Sequence, residues 1–424
     1  MKKISSRSNF GTTPNTKRSL LKTLVQVLIG GWFVLLILVI RPIVKVYFAP
    51  LATSRIGHFI LDTEILLLII KSENTSQRVR KVVFWIPDKF ITNEFVYQIW
   101  SKNLKILKSN RLTHSIYTSA LVVEKLTKKK LTYRFKSWDG YLPFLHKLET
   151  ENTSFGISKE DEQECLETLR DQGIDTARPW VCLLARDEGY LNTSQPNLLW
   201  TFNSYRNSNI DTYLQAAEWL ASKKVITFRM GVHVQKPFLT NNNPFIIDYA
   251  TGGWRTEKMD IFLSMKCLFF LSTSTGLDAV PIATRKPLLV VNLAQPLTGL
   301  RTKSNHIFIL KKFYSKSTKS FIGINKYLNI GLSGGFSVDN PRHLRSEDFE
   351  RFDIEVIDNS SNEILDATQE MFQLVSNLPS TTPLSLNQRG YWIKFPFYDT
   401  LDVHGQPKSR IGKKFIDQNL WLLD

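Results

Sequence analysis

Residues 269–292 read FFLSTSTGLDAVPIATRKPLLVVN. An apolar strand over 269–271 runs into a hydroxyl-rich loop, Ser272-Thr273-Ser274-Thr275-Gly276, followed by a short helix and a second apolar strand over 288–292. Short apolar runs bounded by small polar residues, with a helix between them, predict a βαβ unit of a parallel sheet. The loop would offer unpaired backbone N–H groups at a helix N-terminus, where the dipole also favours an anion such as a diphosphate. A Ser/Thr N-cap and a tight glycine turn in any α/β core would read the same way, so the stretch decides the fold before it decides the function.

Working outward from it, residues 257–266 form the preceding helix, and a strand over 245–247 ends at Asp248-Tyr249. A strand over 225–229 is closed by Met230-Gly231, residues 210–222 are amphipathic, and a strand over 180–185 ends in Arg186-Asp187. Further upstream, Ser158 and Asp161 have the spacing of a capping box opening a helix to Gln172, with Gly173 placed to end it. The run from 180 to 292 is therefore expected to be a doubly wound domain. In such sheets ligands sit beyond the carboxyl ends of strands, where Arg186, Arg229, Asp248, the 272–276 loop and Asn292 all fall. After Asn292 the pattern weakens: Gly331, Gly334 and Gly335 are too loosely spaced for a phosphate cradle, and 363–375 reads as a helix.

The first half alternates as well. Strands are expected over 44–48, 82–86 and 119–123, with helices over 59–70 and 94–107, and Asp62 and Glu64 lie near the start of the first helix. The expected organisation is a basic tail and anchor (1–41), two Rossmann-like domains (42–172 and 173–380), of which the second carries the candidate diphosphate loop, and a tail (381–424). Tyr391, Trp392, Phe395, Phe397, Tyr398 and Trp421 make that tail aromatic, which predicts that it packs, returning to the first domain.

The chain has 424 residues, 43% of them hydrophobic, enough to fill two cores, and 55 Lys/Arg against 38 Asp/Glu give a net charge of +17. Residues 71–140 hold fifteen basic against five acidic residues, including Lys128-Lys129-Lys130. Such a surface suits anionic lipid, phosphorylated substrates or nucleic acid, and nucleic acid is the least supported because no helix-turn-helix, zinc-finger or RNP-like motif occurs. The three cysteines, Cys165, Cys182 and Cys267, have no metal-ligand spacing and read as small buried hydrophobes.

From Thr23 to Ile40 eighteen residues carry no charge, bounded by Lys22 and Arg41. That length predicts a retained membrane-anchoring helix. Cations before the segment favour a cytoplasmic N-terminus, and a simple crossing would then export the body. If the 272–276 loop holds a cytosolic nucleotide diphosphate, the body would instead face the cytoplasm. Cations on both flanks equally suit an interfacial anchor. The sequons at Asn74, Asn152, Asn192 and Asn359 would suit a lumenal body.

The stretches RIGHFILDTE (55–64), ARDEGY (185–190), YRNSNIDTY (205–213), IDYA (247–250), MDIFLSMKCLFFLSTSTGLDAVP (259–281) and HGQPKSRIGKKFIDQNLWLL (404–423) resemble a family of bacterial glycosyltransferases of surface-polysaccharide biosynthesis. The chain is more distantly similar to lipopolysaccharide heptosyltransferases, which carry a Gly-Asp pair at the first strand-to-helix turn and a Thr-Gly loop over the donor phosphates. Gly57-His58 and Thr275-Gly276 stand in those places here, with His58 in place of the Asp.

The resemblance implies an α/β protein of two Rossmann-like domains, the GT-B type, moving a sugar from a nucleotide-diphosphate donor to a glycan or lipid-linked acceptor. His58 is the implied base, with Asp62 and Glu64 in reserve. Arg186, Arg206, Asn207, Arg229, Gly231, Asp248, Tyr249, Thr273, Ser274, Thr275, Gly276 and Asn292 are the implied donor-binding set. No Asp-x-Asp occurs, so protein donors rather than a metal would hold the leaving group, and the nucleotide sugar is a substrate with no separate cofactor. Membrane lipids are an expected partner. Pyruvyl or other group transfer to a polysaccharide precursor, and a non-enzymatic membrane scaffold, are the alternatives.

Overall fold

The computed structural model describes residues 16–73, 79–135, 147–194, 201–296, 305–329, 345–376, 383–394 and 409–424. Gly331, Gly334, Gly335, Asn74 and the tail aromatics Phe395, Phe397 and Tyr398 lie outside them. The chain forms two compact units, one from residues 1–54, 70–92 and 100–134, the other from 55–69, 93–99 and 135–424. Both are α/β with parallel sheets.

The smaller unit is built on three parallel strands in the order β1 (Val44–Leu51), β2 (Arg80–Pro87) and β3 (Lys105–Ile106). Helix α1 (Thr16–Ile40) lies against a later helix, α4 (Arg111–Thr127), with Gly30 at the closest point. A Cβ there would fall 2.4 Å from the Ser115 carbonyl oxygen, so only glycine allows this approach. Val34 is fully buried in a cluster with Val46, Phe48, Ile86, Ala120 and Leu131.

Among the described residues no helix is long and apolar enough to cross a membrane, so the expected spanning anchor is not found. α1 gives one face to protein, whereas a lone spanning helix meets lipid all round. The expected strand over 119–123 is also corrected. Asn110 caps α4 through a reciprocal box with Thr113, and the helix continues to Thr127, carrying those β-branched residues with it. The third strand is β3.

The larger unit holds a seven-stranded sheet whose observed pairings are all parallel: β4 (Trp180–Leu184), β5 (Ile226–Arg229), β6 (Ile246–Ile247), β7 (Phe270–Ser272), β8 (Leu288–Leu293), β9 (His306–Leu310) and β13 (Arg410–Ile411). Every residue of β7, β8 and β9 is buried, as expected for a sheet covered on both faces. The spatial order is β13-β9-β8-β7-β4-β5-β6. Read from β6 to β9 this is the doubly wound 3-2-1-4-5-6 arrangement, whose direction reverses between β4 and β7. A small antiparallel sheet of β10 (Lys312–Ser315), β11 (Ser320–Phe321) and β12 (Ile354–Ile357) follows β9.

Two domain boundaries are corrected. The helix Lys159–Asp171, capped by Ser158 as expected, belongs to the larger unit: it buries Cys165 and Leu169 and pairs Glu162 with Lys266 and Asp161 with Lys258. The described residues of the C-terminal tail, expected to return to the first domain, pack instead within the larger unit. β13 pairs with β9, and Tyr391 and Trp392 pack on Phe308, because the outer edge of β9 offers unpaired backbone and apolar surface.

Candidate functional site

The reversal point of a doubly wound sheet leaves a crevice beyond the ends of the two central strands. Here those strands are β4, which runs into Arg186, and β7, which runs into the 272–276 loop. The Thr273 hydroxyl accepts a hydrogen bond from the Arg186 backbone N–H at 2.9 Å, tying the two strand ends together. Ser274 stands at φ +63°, and its carbonyl oxygen accepts from the Arg206 guanidinium at 2.7 Å. Arg206 ends a 3-10 turn, Thr201–Arg206, which brings it to the same loop.

The electrostatics of this cluster are unbalanced. Burial pushes the Arg186 guanidinium down to about 9, and the neighbouring positive charge of Arg206 pushes it the same way. Burial lowers Arg206 as well. Neither arginine has an ion-pair partner among the described residues. A guanidinium stays protonated in proteins, so these shifts mark two half-buried cations that the attraction of Glu188 and Asp187 on one and of Asp278 on the other does not fully offset, and an anion between them would stabilise both.

Lys311 completes the group. It directly follows β9, is almost fully buried, and donates to the Asn207 carbonyl oxygen and to Asp358. Burial lowers its pKa, Asp358 raises it, and Arg186 lowers it again.

The loop itself is braced from beneath. Asp278 accepts from the Ser272 hydroxyl at 2.5 Å, from the Thr275 hydroxyl at 2.8 Å and from the Thr275 backbone N–H at 3.1 Å. Burial raises Asp278 to about 6. The Thr275 amide is thereby used inside the protein, and the guanidinium groups, more than loop amides, supply the free positive charge.

Gly276 touches the start of helix α2 (Ile56–Ser72). A Cβ on Gly57 would lie 3.2 Å from the Gly276 carbonyl oxygen, and one on Gly276 would lie 3.1 Å from Ile56 Cγ2. A side chain at either position would press on its neighbour, on backbone at Gly57 and on the Ile56 side chain at Gly276, so glycine suits both. The contact sets His58 beside the loop, half-exposed, with Nδ1 3.0 Å from Asp62 Oδ2 one helical turn on. That partner fixes the ring and leaves Nε2 to meet a substrate.

Glu64 does not join them. Its carboxylate is fully buried, 2.9 Å from the Arg285 guanidinium, and accepts the Ser154 N–H at 3.1 Å on both oxygens.

The structure thus brings together Arg186, Arg206, Thr273, Ser274, Thr275 and Gly276, with His58 and Asp62 adjoining. Asn207 lies at the margin, donating to Glu188 at 3.0 Å. The other expected residues form structural knots. Arg229 is fully buried, 3.3 Å from Asp248 and 3.9 Å from Asp187, and donates to the Lys236 carbonyl oxygen. Asp248 also accepts from the Phe238 amide and the Thr251 hydroxyl, and the Tyr249 hydroxyl donates to the Thr256 carbonyl oxygen. Gly231, at φ +152°, makes a turn so tight that a Cβ would meet Val234 Cγ1 at 2.5 Å.

Asn292 and Asn359 exchange backbone-to-side-chain hydrogen bonds of 2.6 Å in each direction. The Asn292 amide group also reaches Ser208 and Tyr213. Lys311 was missed. A charged residue directly after an apolar strand is the same signal that selects Arg186, and it was present at the end of β9.

No family model and no curated protein matches the chain. Solved structures do resemble it. One is the glycosyl transferase family 9 protein from Veillonella parvula DSM 2008, 12% identical, with a TM-score of 0.45, covering 77% of this chain and 97% of that one. Another is the E. coli ADP-heptose lipopolysaccharide heptosyltransferase II, 9% identical, with a TM-score of 0.43, covering 78% and 100%.

Proposed function

We propose that this chain is a glycosyltransferase of the two-Rossmann, GT-B type, which moves a sugar from a nucleotide diphosphate to a glycan or lipid-linked acceptor of surface-polysaccharide synthesis. The observation that carries this reading is the pair of half-buried arginines, Arg186 and Arg206, neither in a close ion pair among the described residues, at the reversal point of a doubly wound sheet. A diphosphate supplies the missing negative charge, and the fork of a guanidinium matches its oxygens in pairs.

In this reading the acceptor hydroxyl gives its proton to His58 Nε2 while Asp62 holds the ring by Nδ1. The acceptor oxygen bonds to the anomeric carbon as the bond from that carbon to the diphosphate oxygen breaks. The electron pair leaves on the diphosphate, and Arg186 and Arg206 stabilise the charge that develops there. Two guanidinium groups can do this without a metal ion. A cytosolic donor places the work at the cytoplasmic face of an inner membrane.

Isothermal calorimetry with a panel of nucleoside diphosphates tests the proposal. Binding that is lost in Arg186→Met and Arg206→Met supports it, whereas a wild-type chain that takes up no nucleoside diphosphate overturns it and favours the scaffold reading.

A further inference from the structure

α1 has a second apolar face. Leu28, Ile29, Trp32, Leu35, Leu36 and Val39 recur at intervals of three and four, opposite the Gly30 and Val34 side that packs on α4. All six are exposed, Trp32 by 79% and Val39 by 75%. Side chains of this kind are normally the part of a helix that is hidden, and here they run unbroken for about 17 Å at 1.5 Å per residue.

The two helices run in the same direction: Gly30 meets Ser115 and Ser119, and further on the Arg41 guanidinium donates to the Lys130 carbonyl oxygen at 3.0 Å. That pairing brings the end of α1 beside the exposed lysines Lys125, Lys128 and Lys129, none of which pairs with a carboxylate among the described residues. Between them Leu126 is 76% exposed. The surface of this unit therefore joins an apolar strip containing a tryptophan to a cationic cluster.

We infer that this surface lies in the plane of an anionic lipid bilayer, with the outer face of α1 sunk among the acyl chains and Lys125, Lys128 and Lys129 on the headgroups. The combination selects lipid. An apolar strip alone would suit a second copy or a protein partner, whereas unpaired lysines clustered at its end match negative headgroups, and tryptophan favours the boundary between headgroup and hydrocarbon.

Spanning is opposed by α4. A vertical α1 would carry the adjoining α4 into the hydrocarbon with it, together with Arg111, His114, Glu124 and Lys125. The inference gives the proposed transferase a membrane to work on, but it rests on the smaller unit alone and stands or falls separately from the reading of the arginine site.

The test is flotation of the purified full chain with vesicles. Vesicles containing phosphatidylglycerol should bind roughly 100-fold more tightly than phosphatidylcholine alone, as three lysines near a charged surface would give. Trp32→Glu with Leu36→Glu should abolish flotation on both, with an unchanged circular dichroism spectrum and unchanged nucleoside diphosphate binding. Lys128→Glu with Lys129→Glu should remove only the preference for anionic lipid. In native membranes, alkaline carbonate should release the chain.

Equal binding to both vesicle types, flotation that survives Trp32→Glu with Leu36→Glu, or retention after carbonate would each overturn the inference. So would a dimer in lipid-free solution that Trp32→Glu dissociates.

Discussion

Replacing Arg186 by Met separates a ligand-binding arginine from a structural one, because the two roles predict opposite effects on the unliganded protein. The Met side chain keeps much of the arginine's apolar stem and removes the guanidinium. If the cation is there for a diphosphate, the free protein loses only a charge that burial and Arg206 already disfavour. Its melting temperature should stay the same or rise.

Binding should suffer. One charge-assisted hydrogen bond is worth about 1.5–3 kcal/mol. A charge pair at ~4 Å contributes up to about 4 kcal/mol at an effective dielectric constant of 20. A net loss of about 2–4 kcal/mol corresponds to a Kd weaker by roughly 30- to 1000-fold. Arg186→Lys, which retains the charge but not the fork, should fall between the two.

Differential scanning fluorimetry with and without the best nucleoside diphosphate, followed by calorimetry, reads both quantities. A variant that binds normally would refute the reasoning. So would one whose free form melts lower by as much free energy as binding loses, because Arg186 would then be serving the fold.

Three other outcomes follow from the same geometry. Gly276→Val should weaken diphosphate binding by tenfold or more while the protein remains folded, because the new side chain must displace Ile56 or the start of α2; titration of the variant checks this. His58→Gln should lower turnover by about 10²–10⁴ with donor affinity retained, and Asp62→Asn should lower it less, as steady-state kinetics with a fixed donor would show. Burial raises the Glu370 carboxyl to about 7, above its unfolded value, so its contribution to stability is present at low pH and is lost as pH rises through 7. Glu370→Gln should flatten the melting temperature between about pH 5 and 8, and an unchanged slope in that variant would count against the assignment.

Much of the larger unit was legible because its strands are short, apolar and separated by clear helix signals. The helix over 257–266 and the strands around 180, 226, 270 and 288 fall where the pattern puts them. The strand at 119–123 failed because α4 is decided by the Asn110–Thr113 box and by packing on α1, neither of which a local window contains.

The candidate site was half legible. Polar residues at strand ends mark where a ligand can sit, but the sequence does not say which of them are already spent. Arg229 and Arg186 occupy equivalent positions, yet Asp187 and Asp248 pair with the first at close range, whereas the second has no close ion pair among the described residues and only the weaker attraction of Glu188 and Asp187. Glu64 and Asp62 are two residues apart on one helix, and only their direction separates a buried partner of Arg285 from a partner of His58.

β13 comes far later in the sequence than Trp180, where the sheet begins, yet it covers that sheet's outer edge. Until residues beyond 409 emerge, His306–Leu310 stands as an apolar strand with one side open, the kind of edge on which unfinished chains join to each other. Completion of this sheet therefore waits until residues 410–411 have been made, and a cut or a bulky fusion close to Arg410 should show first as aggregation during expression.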